Sequence, residues 1–249
     1  MMYQGAKSHL ARRICDAISR REVQNCTRYS RKNRWGTCLV SLFCGSCAVE
    51  TRLAPLYDRV ICADAHPYLI AMWQAVQAGR DLPDTVTEAE YQHIRANRDE
   101  DPALTGFVGF ACSFGGKFFG GYARDHLRGR NYAAVGKSAV LRDLQTLRGA
   151  EFVCGDYRSI DIPEGAVVYC DPPYGGTTGY TTGRFDSAAF WDYMRQISQT
   201  HRVYISEQTA PDDFEAIWEA PLRRSLDMQT DRRKIAMERL YIYRGGKNA

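Results

Sequence analysis

Apolar and polar positions alternate along the chain with two periodicities, one of which predicts helices and the other strands. Apolar residues return at helical spacing over residues 8–21, with Leu10, Ile14 and Ile18 on one face. Short apolar runs follow at 38–43 and 59–63, with a helix through 48–54 between them and a helix over 67–78 after them. This strand, turn, helix, strand order predicts an α/β fold built on a doubly wound, mostly parallel sheet.

The alternation then lapses and resumes near residue 150. Within the lapse, Thr87 and Glu90 have the spacing of a capping box that opens a polar helix, and residues 115–122 have the glycines of a loop or hairpin. Strands are predicted again at 151–154, 166–170 and 202–206, with a helix over 187–199. We therefore expect one domain formed by residues 1–78 and 146–249, with an inserted, mainly helical region at 79–145 that carries specificity.

The composition is that of a folded enzyme, since 45% of the 249 residues are hydrophobic and 25% are charged. No stretch approaches the roughly 20 apolar residues that span a bilayer, and the first residues lack the apolar core of a signal peptide. We expect a cytoplasmic protein without membrane contact.

The nine cysteines are odd in number, and several lie inside apolar runs, which is typical of reduced, buried thiols. Cys44 and Cys47 also match the C-x-x-C pattern of redox pairs and of half a zinc site. Because no second such pair or paired histidine supplies further ligands, we expect no metal.

Positive charge is concentrated in two segments, although the net charge is only +4. Residues 1–60 contain 11 Lys/Arg against 4 Asp/Glu, and residues 105–148 contain 7 against 2. Such patches suit a phosphate backbone, and on charge alone a solvated basic face explains them equally well.

The strongest chemical signal is Asp171-Pro172-Pro173-Tyr174, which follows a buried strand. The carboxyl ends of parallel strands face the ligand crevice. Two prolines remove two N–H donors, so this turn presents mainly acceptors, which suits the binding of an amino group. The alternative is a Pro-Pro turn that merely ends a core strand, with the tyrosine packed beside it.

A carboxylate at this place can activate the exocyclic amine of adenine, whose lone pair is delocalised into the ring. Asp171, with an ordinary pKa near 4, and the Pro172 carbonyl would accept its two N–H bonds while a methyl group transfers in line from a sulfonium. In duplex DNA the base must first swing out at a cost of a few kcal/mol, and stacking on Tyr174 would return about 1–3 kcal/mol.

A second motif, Phe43-Cys44-Gly45-Ser46, precedes Asp64 by one strand. An acid at the end of that strand can accept the ribose hydroxyls of an adenosine-containing cofactor. Only one glycine of the dinucleotide pattern is present, so S-adenosylmethionine, which carries no phosphate, fits better. The alternative is that Asp64 caps the next helix. A weaker candidate is Gly155-Asp156-Tyr157, where Asp156 would accept from the cofactor's adenine amine.

Taken in order, these motifs and Tyr3-Gln4-Gly5-Ala6-Lys7-Ser8 resemble the Dam-type, D12-class adenine-specific DNA methyltransferases over nearly the whole chain. The resemblance implies methyl transfer to N6 of adenine in a specific duplex site, with DNA read between Asp64 and Gly155. It also implies that Lys7 serves the methionine carboxylate. The expected cofactor residues are Tyr3, Lys7, Phe43, Gly45, Ser46, Asp64, Asp156, Tyr157 and Asp171.

Four residues depart from the family pattern. Ser41-Leu42 stands where the family usually has Glu-Pro, Cys47 stands at a second glycine of the first turn, and Ala6 replaces a glycine before the lysine. We expect weaker cofactor binding from these changes and the same fold.

Duplex DNA is the expected partner, with a cognate restriction nuclease as a possible second one. The expected DNA contacts form a basic and aromatic cluster, and the alternative is a mobile loop with incidental charge. Methylation of cytosine N4 or of RNA would use the same acceptor geometry, and a DNA-binding protein without turnover is a further alternative. Asp at 171 and the motif order favour adenine, and the intact catalytic motif favours an enzyme. The cluster consists of Lys117, Tyr122, Arg124, Arg128 and Arg130.

Overall fold

The structure is a computed structural model that describes residues 1, 3, 7–25, 36–125, 129–173, 185–222 and 236–247. Its centre is a seven-stranded sheet with the order β3-β2-β1-β4-β5-β7-β6. The first five strands of the chain pair in parallel, and β7 runs antiparallel to β5 and β6. The strands are β1 (Gly36–Ser41), β2 (Tyr57–Asp64), β3 (Glu151–Cys154), β4 (Val167–Cys170), β5 (Arg202–Glu207), β6 (Phe214–Pro221) and β7 (Met237–Tyr243).

Seven α-helices lie in the described part of the chain. Three of them, α4 to α6, come from the region predicted as a helical insertion. The doubly wound, mostly parallel fold is confirmed, with β7 as an antiparallel strand beside β5. The helices are α1 (Ala11–Asn25), α2 (Glu50–Leu53), α3 (Pro67–Gln77), α4 (Glu88–Ala96), α5 (Pro102–Ala111), α6 (Tyr132–Leu147) and α7 (Ser187–Ile197).

The sheet order places a crevice between β1 and β4. From β1 the chain proceeds outward to β2 and β3, and then returns to the other side of β1 as β4. Connections therefore diverge at the carboxyl ends of these two central strands, which is where doubly wound proteins bind ligands. Ser41 of β1 lies opposite Tyr169 of β4 in this register, so Asp171 follows directly at the crevice.

Each face of the sheet is covered by its own apolar core. Leu39 and Val40 are adjacent in β1 and both are fully buried, yet they belong to different cores, as the alternation of a strand requires. The inserted helices α5 and α6 contribute Phe107 and Val140 to the first core. The insertion is thus packed onto the sheet domain.

Helix α5 crosses α3 with almost no space between the backbones. A Cβ on Gly106 would lie 1.9 Å from the carbonyl oxygen of Tyr68. Any side chain at position 106 would force the two helices apart, so the insertion has a fixed position against the helix that follows β2.

Side-chain caps define the ends of several helices in the region where the sheet pattern lapses. The capping box is confirmed: Thr87 Oγ1 accepts from the Glu90 amide at 3.2 Å, and the Thr87 amide donates to Glu90 Oε2 at 2.6 Å. The predicted glycine loop is also confirmed, since Ser113 and Tyr122 form a bridge that closes it. In the parts of the chain described here, no helix is long and apolar enough to cross a membrane.

Candidate active site

A buried layer of polar side chains crosses the carboxyl ends of β1, β4 and β5 and the amino end of the antiparallel strand β7. At its centre the Lys7 ammonium lies 2.6 Å from Asp171 Oδ1 and 3.4 Å from Glu238 Oε1. The Tyr169 hydroxyl donates to Ser206 Oγ at 3.0 Å. We call this set the polar layer: Lys7, Ser41, Glu50, Tyr169, Asp171, Ser206 and Glu238.

Asp171 has two opposing influences on its charge. Burial raises the pKa of the Asp171 carboxyl above its ordinary value, and the adjacent Lys7 ammonium opposes that rise. The expectation of an ordinary pKa is therefore wrong. The ion pair nevertheless favours the carboxylate form, and the side chain remains 19% exposed, so one part of it is accessible from the crevice.

Glu50 supplies a second buried carboxyl at this edge of the sheet. Its Oε1 accepts a hydrogen bond from Ser41 Oγ at 2.6 Å, and burial raises its pKa to about 7. Ser41 is the position where the D12 family usually carries Glu. In this chain a carboxyl from helix α2 lies beside Ser41, which the sequence pattern did not reveal.

Asp64 holds the glycine turn after β1, and its predicted role toward the cofactor ribose stays a prediction. Asp64 Oδ2 accepts from the Gly45 amide at 3.0 Å, and Oδ1 accepts from the His66 amide at 2.9 Å. Asp64 does not cap α3, because His66 Nδ1 accepts from the Leu69 amide in that role. Burial raises the pKa of Asp64, and the two amide donors oppose this.

Tyr3 covers the glycine turn closely. A Cβ on Gly45 would lie 2.9 Å from Tyr3 Cε1, and Gly45 has a φ of +47°. Both facts explain why glycine occupies this position. Cys47 also has a positive φ, +57°, although it is not a glycine. A glycine, which the family often has at this position, would adopt that conformation without strain.

Phe43 and Tyr157 lie together on the opposite face of the sheet from the polar layer. Their ring centroids are 5.4 Å apart, and Phe190 packs edge-on against Phe43 at 5.8 Å. Asp156 faces solvent and binds the Arg158 guanidinium at 2.7 Å, which lowers the Asp156 pKa. Ser46 is buried in the glycine turn.

The catalytic motif is described only in part. Pro172 is buried and Pro173 half-buried at the end of β4. Tyr174, the predicted stacking partner, and Arg128 of the predicted DNA cluster lie outside the described residues. For both positions the sequence-based roles stay predictions.

The remaining residues of the predicted DNA cluster lie on the insertion, and several have partners there. Lys117 is exposed at the closed loop, and the Tyr122 hydroxyl donates to the Val86 carbonyl at 2.7 Å. Arg124 pairs with Glu88. The Arg130 guanidinium lies 5.3 Å from the ring centroid of Tyr132.

The structure adds one surface residue that sequence reasoning missed. Phe114 begins the same closed loop as Lys117 and is 62% exposed, although it is a large aromatic side chain. Apolar residues in the sequence are assigned to the core by default, so exposure at a loop is visible only once the loop is built.

The two cysteines of the C-x-x-C pattern are free and buried. Burial raises the pKa of Cys44 to about 12 and also raises that of Cys47, which disfavours the reactive thiolate. Among the residues that the structure describes, no cluster of His, Cys, Asp and Glu has the arrangement of a metal site.

One family model matches the N-terminal part of the chain. The model of the D12 class N6 adenine-specific DNA methyltransferase family matches residues 3–102. No curated protein sequence matches the chain. The family match covers less than half of the chain. It confirms the resemblance to the D12-class enzymes that the motifs indicate.

Solved structures with a similar path of the chain include three that act on RNA or adenosine by their names. A candidate RNA methyltransferase from Pyrococcus horikoshii is 10% identical with a TM-score of 0.44, covering 94% of this chain and 82% of that one. A dimethyladenosine transferase from Plasmodium falciparum is 10% identical (TM-score 0.37; 91% and 60% covered). A tRNA (m1A58) methyltransferase from Aquifex aeolicus is 10% identical (TM-score 0.35; 92% and 68% covered).

Proposed function

We propose that this methyltransferase moves a methyl group from S-adenosylmethionine to the exocyclic N6 of adenine in a specific duplex DNA site. The base would be flipped out of the duplex, and transfer would be a direct displacement. The observation that carries the proposal is the Asp171 carboxylate, which lies at the crevice between β1 and β4 and is bound by Lys7 at 2.6 Å. The family match over residues 3–102 supports the same activity.

The residues of the glycine turn fit the adenosine part of the cofactor. Each Asp64 oxygen accepts one backbone amide, and a carboxylate oxygen has a further lone pair with which it can accept a ribose hydroxyl. The Phe43–Tyr157 ring pair offers an apolar wall for a purine. Asp156 would accept from the cofactor's adenine amine, and it must share its oxygens with Arg158 to do so.

The target amine would be held between two acceptors. Lys7 engages Asp171 Oδ1, so Oδ2 is the oxygen we assign to one amine hydrogen, with the Pro172 carbonyl taking the other. These bonds would localise the nitrogen lone pair as the sulfonium methyl approaches, and the proton would leave only after the new N–C bond has formed. S-adenosylmethionine supplies the activated methyl group.

Lys7 contacts two carboxyl groups in the structure. We therefore propose that its first role is to keep Asp171 ionised and oriented. The role toward the methionine carboxylate, expected from the family resemblance, stays a prediction.

Duplex DNA is the proposed substrate because the insertion presents exposed positive charge beside an exposed aromatic ring. Lys117 and Phe114 belong to the same closed loop, and Arg130 lies on the same insertion. Lysine and arginine side chains would bind phosphates, and an exposed ring next to them can stack on a base.

The decisive experiment expresses the wild-type chain in a host without DNA methylation and maps modified bases by single-molecule sequencing. N6-methyladenine in one sequence context is the expected result. Asp171→Asn should abolish it, and Asp161→Asn, which changes an exposed aspartate, should leave it unchanged. Modified cytosine, modified RNA or persistent methylation by the Asp171 variant would contradict the proposal.

A further inference from the structure

The polar layer contains more carboxyl groups than the proposed chemistry uses. Lys7 binds Asp171 and Glu238, whereas Glu50 lies at the other end of the layer on Ser41. Glu50 is only 2% exposed, and a charge that deeply buried is costly unless a positive partner lies close by. The described part of the layer thus has three carboxyls and one ammonium.

The position of Glu50 relates it to the crevice rather than to the protein surface. Ser41 is the last residue of β1 and lies opposite Tyr169 of β4, two residues before Asp171. The Glu50 carboxyl therefore sits where the two central strands diverge, within electrostatic reach of Asp171. A bound donor would bring a sulfonium, an ammonium and a carboxylate, hence one net positive charge, to this edge of the sheet.

We propose that Glu50 is a positioning residue that holds a proton until the positively charged methyl donor binds and then releases it to solvent. The inference rests on the proposed use of S-adenosylmethionine. In this step the O–H bond of the Glu50 carboxyl breaks, the proton passes to the buffer, and no other bond changes. The resulting carboxylate favours the sulfonium donor over the uncharged thioether product.

The groups that face Glu50 from neighbouring elements leave it as the titrating group near neutral pH. Burial raises the pKa of Cys15 on α1 and of Cys44 in the glycine turn to about 12 each, and that of Tyr169 on β4 also rises. Asp171 is paired with the Lys7 ammonium. The pKa of Glu50, raised to about 7 by burial, makes a half-protonated carboxyl at pH 7.

Calorimetric titration of the purified wild-type protein tests this directly. S-adenosylmethionine should release about half a proton at pH 7, measured from the binding heat in two buffers of different ionisation enthalpy. Its affinity should rise about tenfold between pH 6 and pH 8. S-adenosylhomocysteine, which lacks the sulfonium charge, should release less.

Glu50→Gln should remove both the proton release and the pH dependence, whereas Glu238→Gln, a matched carboxyl change in the same layer, should keep them. Ser41→Ala should move the pH dependence of donor affinity to higher pH, because the hydrogen bond that it removes stabilises the charged form of Glu50. Affinity for the donor that is independent of pH in the wild type, or unchanged linkage in Glu50→Gln, would overturn the inference alone. Absence of donor binding at every pH would overturn the proposed function as well.

Discussion

Lys7 joins the N-terminal segment to the catalytic strand through a buried ion pair, and replacing it with methionine tests how much that pair contributes. Its ammonium is 4% exposed and contacts Asp171 at 2.6 Å and Glu238 at 3.4 Å. Methionine keeps much of the volume and removes the charge. Breaking a buried pair from one side leaves an uncompensated carboxylate and costs about 3–5 kcal/mol. Because the Lys7 ammonium serves two carboxyls, we expect a loss within that range.

Urea unfolding and thermal melting measure this loss. For a chain of this length, about 2–4 °C of Tm accompany each kcal/mol, so Lys7→Met should melt roughly 6–20 °C lower. The double variant Lys7→Met/Asp171→Asn should recover at least about 1 kcal/mol, because it removes one stranded carboxylate. The exposed pair Arg59–Glu151 gives a control, and Arg59→Met should change stability far less. If Lys7→Met lies within about 1 kcal/mol of wild type and the double variant recovers nothing, the electrostatic account of this layer is wrong.

Three further expectations follow from single contacts. Gly45→Ala should weaken donor binding, measured by calorimetry, much more than Gly129→Ala does. Both glycines have a positive φ, but only at Gly45 would the new Cβ meet Tyr3. Equal effects of the two changes would argue against a tight turn. As pH rises from 4.5 to 7, the free energy of unfolding of Glu50→Gln should increase by up to about 3 kcal/mol relative to wild type. The native carboxyl, with its pKa raised from 4.5 to about 7, binds a proton that the unfolded chain has lost over this pH range. A difference that stays constant across pH in urea titrations would refute this. DNA binding should weaken steeply with salt, and Phe114→Ala should lower duplex affinity while leaving the salt slope intact; a flat salt response in anisotropy assays would count against the basic surface.

Most of the parallel sheet was predictable, because its strands are continuous apolar runs that end at chemically distinctive residues. Glu151–Cys154 is confirmed to the residue, and β4 and β5 differ from prediction by one residue at one end. The final pair β6 and β7 was not predicted. Strand β6 is largely exposed along its length, so its alternation is weak, and its pairing depends on β7 across a long separation in sequence. Local periodicity does not contain that information.

The candidate site was likewise predictable only in part. Spacing along the chain was enough to place Asp64 at the glycine turn, since both lie at strand ends of one sheet. It could not indicate that His66 would cap α3 and leave Asp64 to the turn, because either side chain can accept from a helix amide.

The sequence could not indicate that the Glu50 carboxyl lies beside Ser41, because this contact depends on tertiary structure. Position 50 reads as an ordinary polar residue at the start of a helix, and only the approach of α2 to the end of β1 turns it into a buried acid. A carboxyl from a different residue thus lies beside Ser41. A motif comparison by position records two unrelated changes there. Together the two residues place one buried carboxyl at the point where β1 and β4 diverge, and the weaker cofactor binding expected from the departures stays a prediction.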